Sequence, residues 1–487
     1  MQTIFAWILT AVIIAAGYPW SAWLLSKSKS PRSQWLTSLL ALALSIGLLT
    51  LLMFWESLLG IALNLWAITI PYFVLMLPGL MLWWRGRNTS PQPESGLPKT
   101  SEHRFARWFG GGILIAISAA IFFNAAYWPF HRDDTLGIYH RYGKLMYESG
   151  TLVPFAGRDD AFYQAYPIQI PLAYTYSYLA SDWVNEYLAK AVTALFSLAC
   201  LPATYVLGRM LVGSLAGWLS ALLLAFAPTF ARWASTGYVD LPMAFLYTLS
   251  AIFAWRLWED ENWADALLAG AMMGLAAWTK NAALIGIAFL ILWLGYGWLK
   301  KRISFRFIGL VLGVCAIVAA PWYIRNWIEA RLIMPPTAWT DQAEHSLRTL
   351  LLFIFQPENF ALTGWVILLS IIAAIIQFLR RRAAAPTLLL LIWTIPFFGV
   401  WWLLVSYDPR FVLLFLPLLC VLGGGWLAQI WRALPQKWQP VIFRAVAVVA
   451  LAGMLYILWI SVEFKPEILH NPLMGDEAKH TIVLSGE

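Results

Sequence analysis

Charge is scarce in this sequence. Only 12% of its 487 residues are Asp, Glu, Lys or Arg, about half the roughly 25% of a soluble domain. A chain so short of charge cannot clothe itself in a water-facing surface, which excludes a soluble globular protein. Cysteine is nearly absent too. The three that occur, Cys200, Cys315 and Cys420, stand in apolar segments and match no disulfide or metal spacing. No basic residue precedes the first apolar run, 4–24, and no convincing small-residue cleavage site follows it. It therefore reads as a retained helix and not as a signal peptide. Charges are all but missing from the middle of the apolar runs, and no pair of Gly/Pro-broken helices repeats in two halves. Both absences weigh against the alternative reading, a lipid or small-molecule transporter or flippase.

What the chain has in abundance is apolar surface. The hydrophobic fraction is 61%, and the 30 Trp suit a protein with many membrane interfaces. About 20 apolar residues span a bilayer as helix. Stretches of that kind lie near 4–24, 34–54, 61–84, 107–128, 188–208, 213–231, 241–257, 264–279, 282–299, 306–324, 359–379, 385–405, 411–431 and 442–462. The expected fold is an all-α polytopic membrane protein with about 14 transmembrane helices. Three leading helices occupy 1–84. A cytoplasmic linker follows at 85–106, then the main membrane body at 107–462 and a short outer tail at 463–487.

Basic residues set the expected orientation. Alternate loops, among them "SKSKSPRS", "LKKRISFR" and "LRRRAAA", together hold 20 of the 33 Lys and Arg. Excess basic charge marks the cytoplasmic side. The formal charge of +8 therefore records topology, and no nucleic-acid partner is expected. The longest polar segment, 129–187, falls on the outer face. Two stretches in it, about 135–149 and from Pro167 to about 180, are too polar to span. They are expected to be amphipathic helices lying at the interface, with Tyr163, Tyr166, Tyr174, Tyr176 and Tyr178 at headgroup depth.

Ionisable groups at membrane depth default to functional candidates. On the outer face they are Asp133 and Asp134 in "FHRDDTLG", Asp240 in "STGYVDLPMAF", and Lys280 in "LAAWTKNAAL". Arg325 and Asn326 in "APWYIRNW", and Asp408 and Arg410 in "VSYDPRF", complete the set. A second acidic pair, Asp159–Asp160, reads as a solvated turn. A carboxylate just outside the bilayer can act as a general base, and cations beside it can hold a phosphate. The combination suggests transfer from a phosphorylated lipid.

These elements also occur in an order that resembles a known family. "DDTLGIYHRYGKLMYESGTLVP" is similar to an acidic pair followed by an "A…ML…G…P" run, and "AYPIQIPLAY" to a "YPPL" opening. "VNEYLAKAVTALFSLACLPATYVLGRMLVG", "APTFARWASTGYVDLPMAF", "GLAAWTKNA", "APWYIRNW" and "PRFVLLFLPLL" follow in the family's order. The chain thus resembles the GT-C superfamily of polyprenyl-phosphate-sugar-dependent glycosyltransferases. The nearest branch holds the protein O-mannosyltransferases and the lipid A aminoarabinose transferase. The resemblance covers roughly 107–430. Three positions depart from it: the pair is Asp-Asp where Asp-Glu is frequent, Ile168 replaces the second Pro, and Ala165 stands where an acid or Lys can precede the motif. The "WWDYG"-type motif of oligosaccharyltransferases is absent, which argues against whole-oligosaccharide transfer.

The resemblance implies an inverting transferase of the plasma (inner) membrane, acting on the extracytoplasmic side. It would move a monosaccharide from a polyprenyl-phosphate sugar donor to a protein hydroxyl, lipid or glycan. It assigns catalysis to Asp133, Asp134 and Asp240, and the donor phosphate to Arg410, Lys280 and Arg325. Tyr139, His140, Tyr166 and Asn326 would line the sugar or acceptor. No cofactor is required by the sequence. A divalent metal is the one candidate the family raises, and the His and acid spacing supplies no clean ligand set for it. Membrane lipids are the remaining partners.

Overall fold

The computed structural model describes residues 2–28, 33–86, 102–153, 165–333, 342–349, 351, 356–406 and 408–485. Within them the regular structure is helical. Apolar side chains run continuously around most of these helices, and a helix satisfies its own backbone N–H and C=O groups, as a bilayer requires. Ten helices are long and apolar enough to cross a membrane. The protein is an integral membrane protein. Each of the fourteen expected stretches is helical, yet the count of fourteen crossings is not established. The other four helices, Ser214–Ala225, Trp263–Thr279, Ala283–Leu299 and Leu416–Ala433, have 12, 17, 17 and 18 residues. At 1.5 Å per residue the shortest reaches only about 18 Å, against a hydrocarbon core of about 30 Å.

The described chain forms two compact units. The first comprises Met1–Leu97, Arg132–Phe196 and Gly237–Thr337, and the second Pro98–His131, Ser197–Thr236 and Ala338–Glu487. In the first unit, helices Asp240–Glu259, Trp263–Thr279 and Phe305–Ala330 pack side by side. Small residues permit the close approach. A Cβ on Gly274 would lie 3.0 Å from the Cys315 carbonyl oxygen.

The leading helices belong to this unit and clasp its polar loop. The Leu63 N–H donates to the Gly150 carbonyl at 2.7 Å, and the Leu152 N–H to Ser57 Oγ at 2.9 Å. Helix Gln169–Ser181 packs against helices Gln2–Ala16, Gln34–Leu58 and Arg141–Ser149. Its residues are buried on every side. This corrects the expectation of a lipid-facing amphipathic helix with tyrosines among the headgroups. Tyr174, Tyr176 and Tyr178 are buried, because each hydroxyl finds an internal partner. Tyr174 donates to the Gly237 carbonyl at 2.6 Å, Tyr176 lies 2.9 Å from Thr69 Oγ1, and Tyr178 lies 2.9 Å from His140 Nδ1. Burial pushes the Tyr176 phenol up to about 12, so it stays protonated. Helix Arg141–Ser149 does have a mixed surface, burying Tyr142, Gly143 and Met146 and exposing Lys144 and Glu148. Tyr163 and the pair Asp159–Asp160 lie outside the described residues, as does most of the 85–106 linker.

In the second unit, Ser214–Ala225 packs on Leu416–Ala433, and Glu102–Tyr127 on Gln439–Ser461. The run Gly423–Gly424–Gly425 brings two backbones together: a Cβ on Gly424 would lie 2.6 Å from Ser220 N.

Candidate active site

The acidic turn opens the polar loop. Asp133 is exposed, and no hydrogen bond or ion pair holds it among the described residues. Asp134 is half-buried, and its N–H donates to the Tyr238 hydroxyl at 3.3 Å. The chain then enters a π-helical turn, Thr135–His140, which runs directly into Arg141–Ser149. Such turns are rare and recur at functional sites. Tyr139 is buried inside this turn, edge-on to Tyr238 with ring centroids 6.2 Å apart. His140 Nε2 lies 3.9 Å from Glu186 Oε1. The Tyr178 phenol beside His140 is pushed well up, first by burial and then by Tyr174 and Glu186. It therefore meets the imidazole as a neutral hydroxyl.

Tyr238 ties the acidic turn to the next candidate. Gly237 takes the left-handed region at φ 85°, which glycine adopts without a Cβ clash. The turn delivers Tyr238 toward Asp134 and starts helix Asp240–Glu259 three residues on. Asp240 and Lys280 are both buried, and Lys280 Nζ donates to Asp240 Oδ1 at 2.6 Å. The second carboxylate oxygen has no hydrogen-bond partner among the described residues. Lys280 stands in the tight turn between Trp263–Thr279 and Ala283–Leu299, as the sequence implied. The neighbouring Thr279 hydroxyl donates to Gln169 Oε1.

Arg325 and Asn326 lie near the end of Phe305–Ala330 and hold the polar loop at two points. Arg325 donates to the Val153 carbonyl at 3.2 Å, pairs with Glu329 at 3.0 Å and lies 5.1 Å over the Trp322 ring. Asn326 is buried and donates to the Ala165 carbonyl at 3.1 Å. Tyr166, next to that carbonyl, is half-buried. The unit thus links the acidic turn to Asp240 and Lys280 through Tyr238, while Arg325 and Asn326 grip both flanks of the segment 154–164.

Arg410 belongs to the second unit. Its guanidinium Nε is 3.4 Å from Asp408 Oδ2. The same group sits 5.2 Å from the Trp233 ring and 4.8 Å from the Phe411 ring. Asp408 also accepts the Arg410 N–H at 2.8 Å and so caps the 3-10 turn Pro409–Leu414. Among the described residues no group of three His, Cys, Asp or Glu side chains is placed to hold a metal ion.

Sequence reasoning missed three arrangements. Tyr238 passed unnoticed two residues before Asp240. In the second unit, Asn124, His131 and Glu463 form a polar knot. His131 Nε2 lies 3.0 Å from Glu463 Oε2, and Asn124 donates to the same oxygen at 3.1 Å. At the basic-loop end of the first unit, buried Arg256 meets Asp265 at 2.8 Å, and Asp265 also accepts from Ser28 at 2.7 Å. A signal existed there: Asn262 three residues before Asp265 is an N-cap pattern, and the Asn262 side chain does accept the Asp265 N–H.

Residues 178–324 match the family described as dolichyl-phosphate-mannose-protein mannosyltransferase. No curated protein matches the chain. Among solved structures, ArnT from Cupriavidus metallidurans bound to undecaprenyl phosphate is similar at 19% identity and a TM-score of 0.50, over 73% of this chain and 71% of that one. The archaeal oligosaccharyltransferase AglB from Archaeoglobus fulgidus, in complex with an inhibitory peptide and a dolichol-phosphate, matches at 15% identity and a TM-score of 0.49. That match covers 74% of this chain and 56% of the other. The Archaeoglobus fulgidus oligosaccharyltransferase in complex with Zn and sulfate gives 16% identity and 0.48, over 76% and 57%. The likeness to ArnT is one of fold. The family match takes in Asp240 and Lys280, ends one residue before Arg325, and leaves Asn326, the acidic turn and Arg410 outside.

Proposed function

We propose that this chain is a membrane glycosyltransferase of the GT-C kind and that it moves one sugar from a polyprenyl-phosphate donor to a hydroxyl acceptor. Acceptors of that kind are a protein side chain, a lipid or a glycan, met on the extracytoplasmic side of the plasma membrane. The observation that carries this reading is the contrast between an open carboxylate at Asp133 and its closely tethered surroundings.

The chemistry is a single displacement. A hydroxyl is a poor nucleophile, and Asp133 takes its proton as the oxygen attacks C1 of the sugar. The bond from C1 to the phosphate oxygen breaks, and the electron pair leaves with the polyprenyl phosphate. One displacement inverts C1. Asp134 orients the turn through its N–H on Tyr238. The leaving phosphate gains charge, and a planar guanidinium suits it because it can bind two oxygens at once. The sequence assigns that role to Arg410, whose guanidinium lies against Trp233 and Asp408 within its own unit. Asp240 and Lys280 already answer each other's charge. They act as a positioning pair that fixes the Gly237–Asp240 segment and, through it, Tyr238. Tyr139, His140, Tyr166 and Asn326 line the acceptor or sugar side.

The test is mass spectrometry of envelope lipids, glycans and glycoproteins from cells with the wild-type chain, the Asp133→Asn chain, or neither. The expected result is a single-sugar mass increment present only with the wild type. Identical profiles in all three would overturn the reading.

A further inference from the structure

We propose that the segment 463–485 is a membrane-boundary tail whose Leu469 and Leu473 insert among lipids beside the ends of helices Glu102–Tyr127 and Gln439–Ser461. The inference does not depend on the proposed transferase activity. Leu473 is 91% exposed and Leu469 82% exposed, the two barest large apolar side chains among the described residues. Isolated exposed leucines are common on proteins, so exposure alone would mean little. Their tethering decides the matter.

The tail is fastened at three points to the last turns of Glu102–Tyr127. The Glu463 N–H donates to Asn124 Oδ1 at 2.9 Å. The Tyr127 hydroxyl donates to the Pro472 carbonyl at 3.1 Å. Lys479 Nζ sits 3.8 Å from the centroid of the Tyr127 ring. The fourth attachment is covalent, since the tail follows directly on Gln439–Ser461. Both helices hold spans of membrane-crossing length and composition, Trp108–Tyr127 and Gln439–Ser461, and only a minority of the residues in those spans are buried in the protein. A segment pinned to the last turns of two such helices stays at the level where they leave the bilayer. Leu469 and Leu473 lie between those pins.

The flanking residues have the character of a bilayer boundary. Trp459 is 65% exposed in the last turn of Gln439–Ser461. Lys465 Nζ lies 4.6 Å from its ring centroid and donates to the Val462 carbonyl at 2.6 Å. Trp and Tyr concentrate at this depth, and a Lys beside them bends its ammonium toward water. The segment also carries the charged Glu467, Asp476 and Glu477. Such a segment is too polar to cross and apolar enough to lie in the interface. The occupant of the leucine side is thus lipid, continuous with the lipid against Gln439–Ser461.

Nitroxide labels on Leu469→Cys, Leu473→Cys and the control Gly475→Cys, each in full-length protein reconstituted into phosphatidylcholine vesicles, test this directly. The three native cysteines are buried, and labelled wild type gives the background. Collision rates with molecular oxygen, which concentrates in lipid, and with a water-soluble nickel chelate are compared. The proposal expects an oxygen-to-nickel ratio several-fold higher at 469 and 473 than at 475. A ratio at both sites equal to the control puts the tail in water and overturns it. Low collision with both reagents means that a second copy or another protein covers the leucines, and overturns it equally. Two independent label sites guard against one distorted variant.

Discussion

Asp133 and Asp240 are both carboxylates at helix starts in the first unit, and their surroundings are opposite. Asp133 is exposed and holds no partner among the described residues, while Asp240 is buried against Lys280 Nζ at 2.6 Å. From sequence they looked alike, two acids at the mouths of apolar helices. A general base must reach its substrate and must be free to accept a proton. A buried carboxylate already answered by an ammonium is poorly placed for either task. What it does well is fix geometry, because removing one partner leaves an uncompensated buried charge. On the proposed reading, the difference separates an acid placed to react from one placed to hold geometry.

The largest expected effect falls on the open acid. Asp133→Asn should slow sugar transfer by about 10²- to 10⁴-fold with the melting temperature unchanged, as read by donor consumption and thermal unfolding of the same preparation. Asp134→Asn should cost less, because its N–H contact to Tyr238 survives the change. Equal and near-normal rates in both variants would erase the comparison.

The buried pair should respond in the opposite order, in stability before rate. Asp240→Asn or Lys280→Met alone should destabilise by about 3–5 kcal/mol. The double variant should recover much of that loss, since no lone charge remains. Thermal unfolding of both singles and the double closes the cycle, and additive losses would deny the coupling.

Arg410 extends the comparison to the second unit. Arg410→Lys keeps the charge and loses the fork. It should weaken binding of undecaprenyl phosphate while leaving melting nearly unchanged. An early-melting variant with normal binding would make Arg410 a structural partner of Asp408 only. The smallest effect belongs to Tyr238→Phe, which removes one acceptor from the Asp134 N–H. A hydrogen bond contributes about 0.5–1.5 kcal/mol, so the rate should fall by roughly two- to tenfold, measured beside Asp134→Asn.

Much of this was legible before any coordinates. Apolar runs located the helices because a bilayer forces backbone pairing within each segment. Parity of the basic loops put Asp133, Asp134, Asp240, Lys280, Arg325, Asn326, Asp408 and Arg410 on one face; within the first unit, Asp240 pairs with Lys280, and Arg325 and Asn326 donate to the Val153 and Ala165 carbonyls of the polar loop. Burial was not legible. The tyrosines of Gln169–Ser181 read as a headgroup belt, and only the leading helices that cover them turn that face inward. Nor could periodicity tell Asp133 from Asp240, since pairing with Lys280 joins residues 40 apart in sequence. Lys280 looked like a free cation for the same reason.

The central claim is that the chain consumes a lipid-phosphate sugar. Its most direct test is reconstituted wild-type protein given undecaprenyl-phosphate-linked monosaccharides and a cell-envelope extract as the source of acceptor, with release of undecaprenyl phosphate followed by mass spectrometry. The account predicts release with at least one of the sugars, dependent on the extract and lost in Asp133→Asn. Donors that bind and return intact from wild-type protein, or cross the vesicle membrane unchanged, would contradict it.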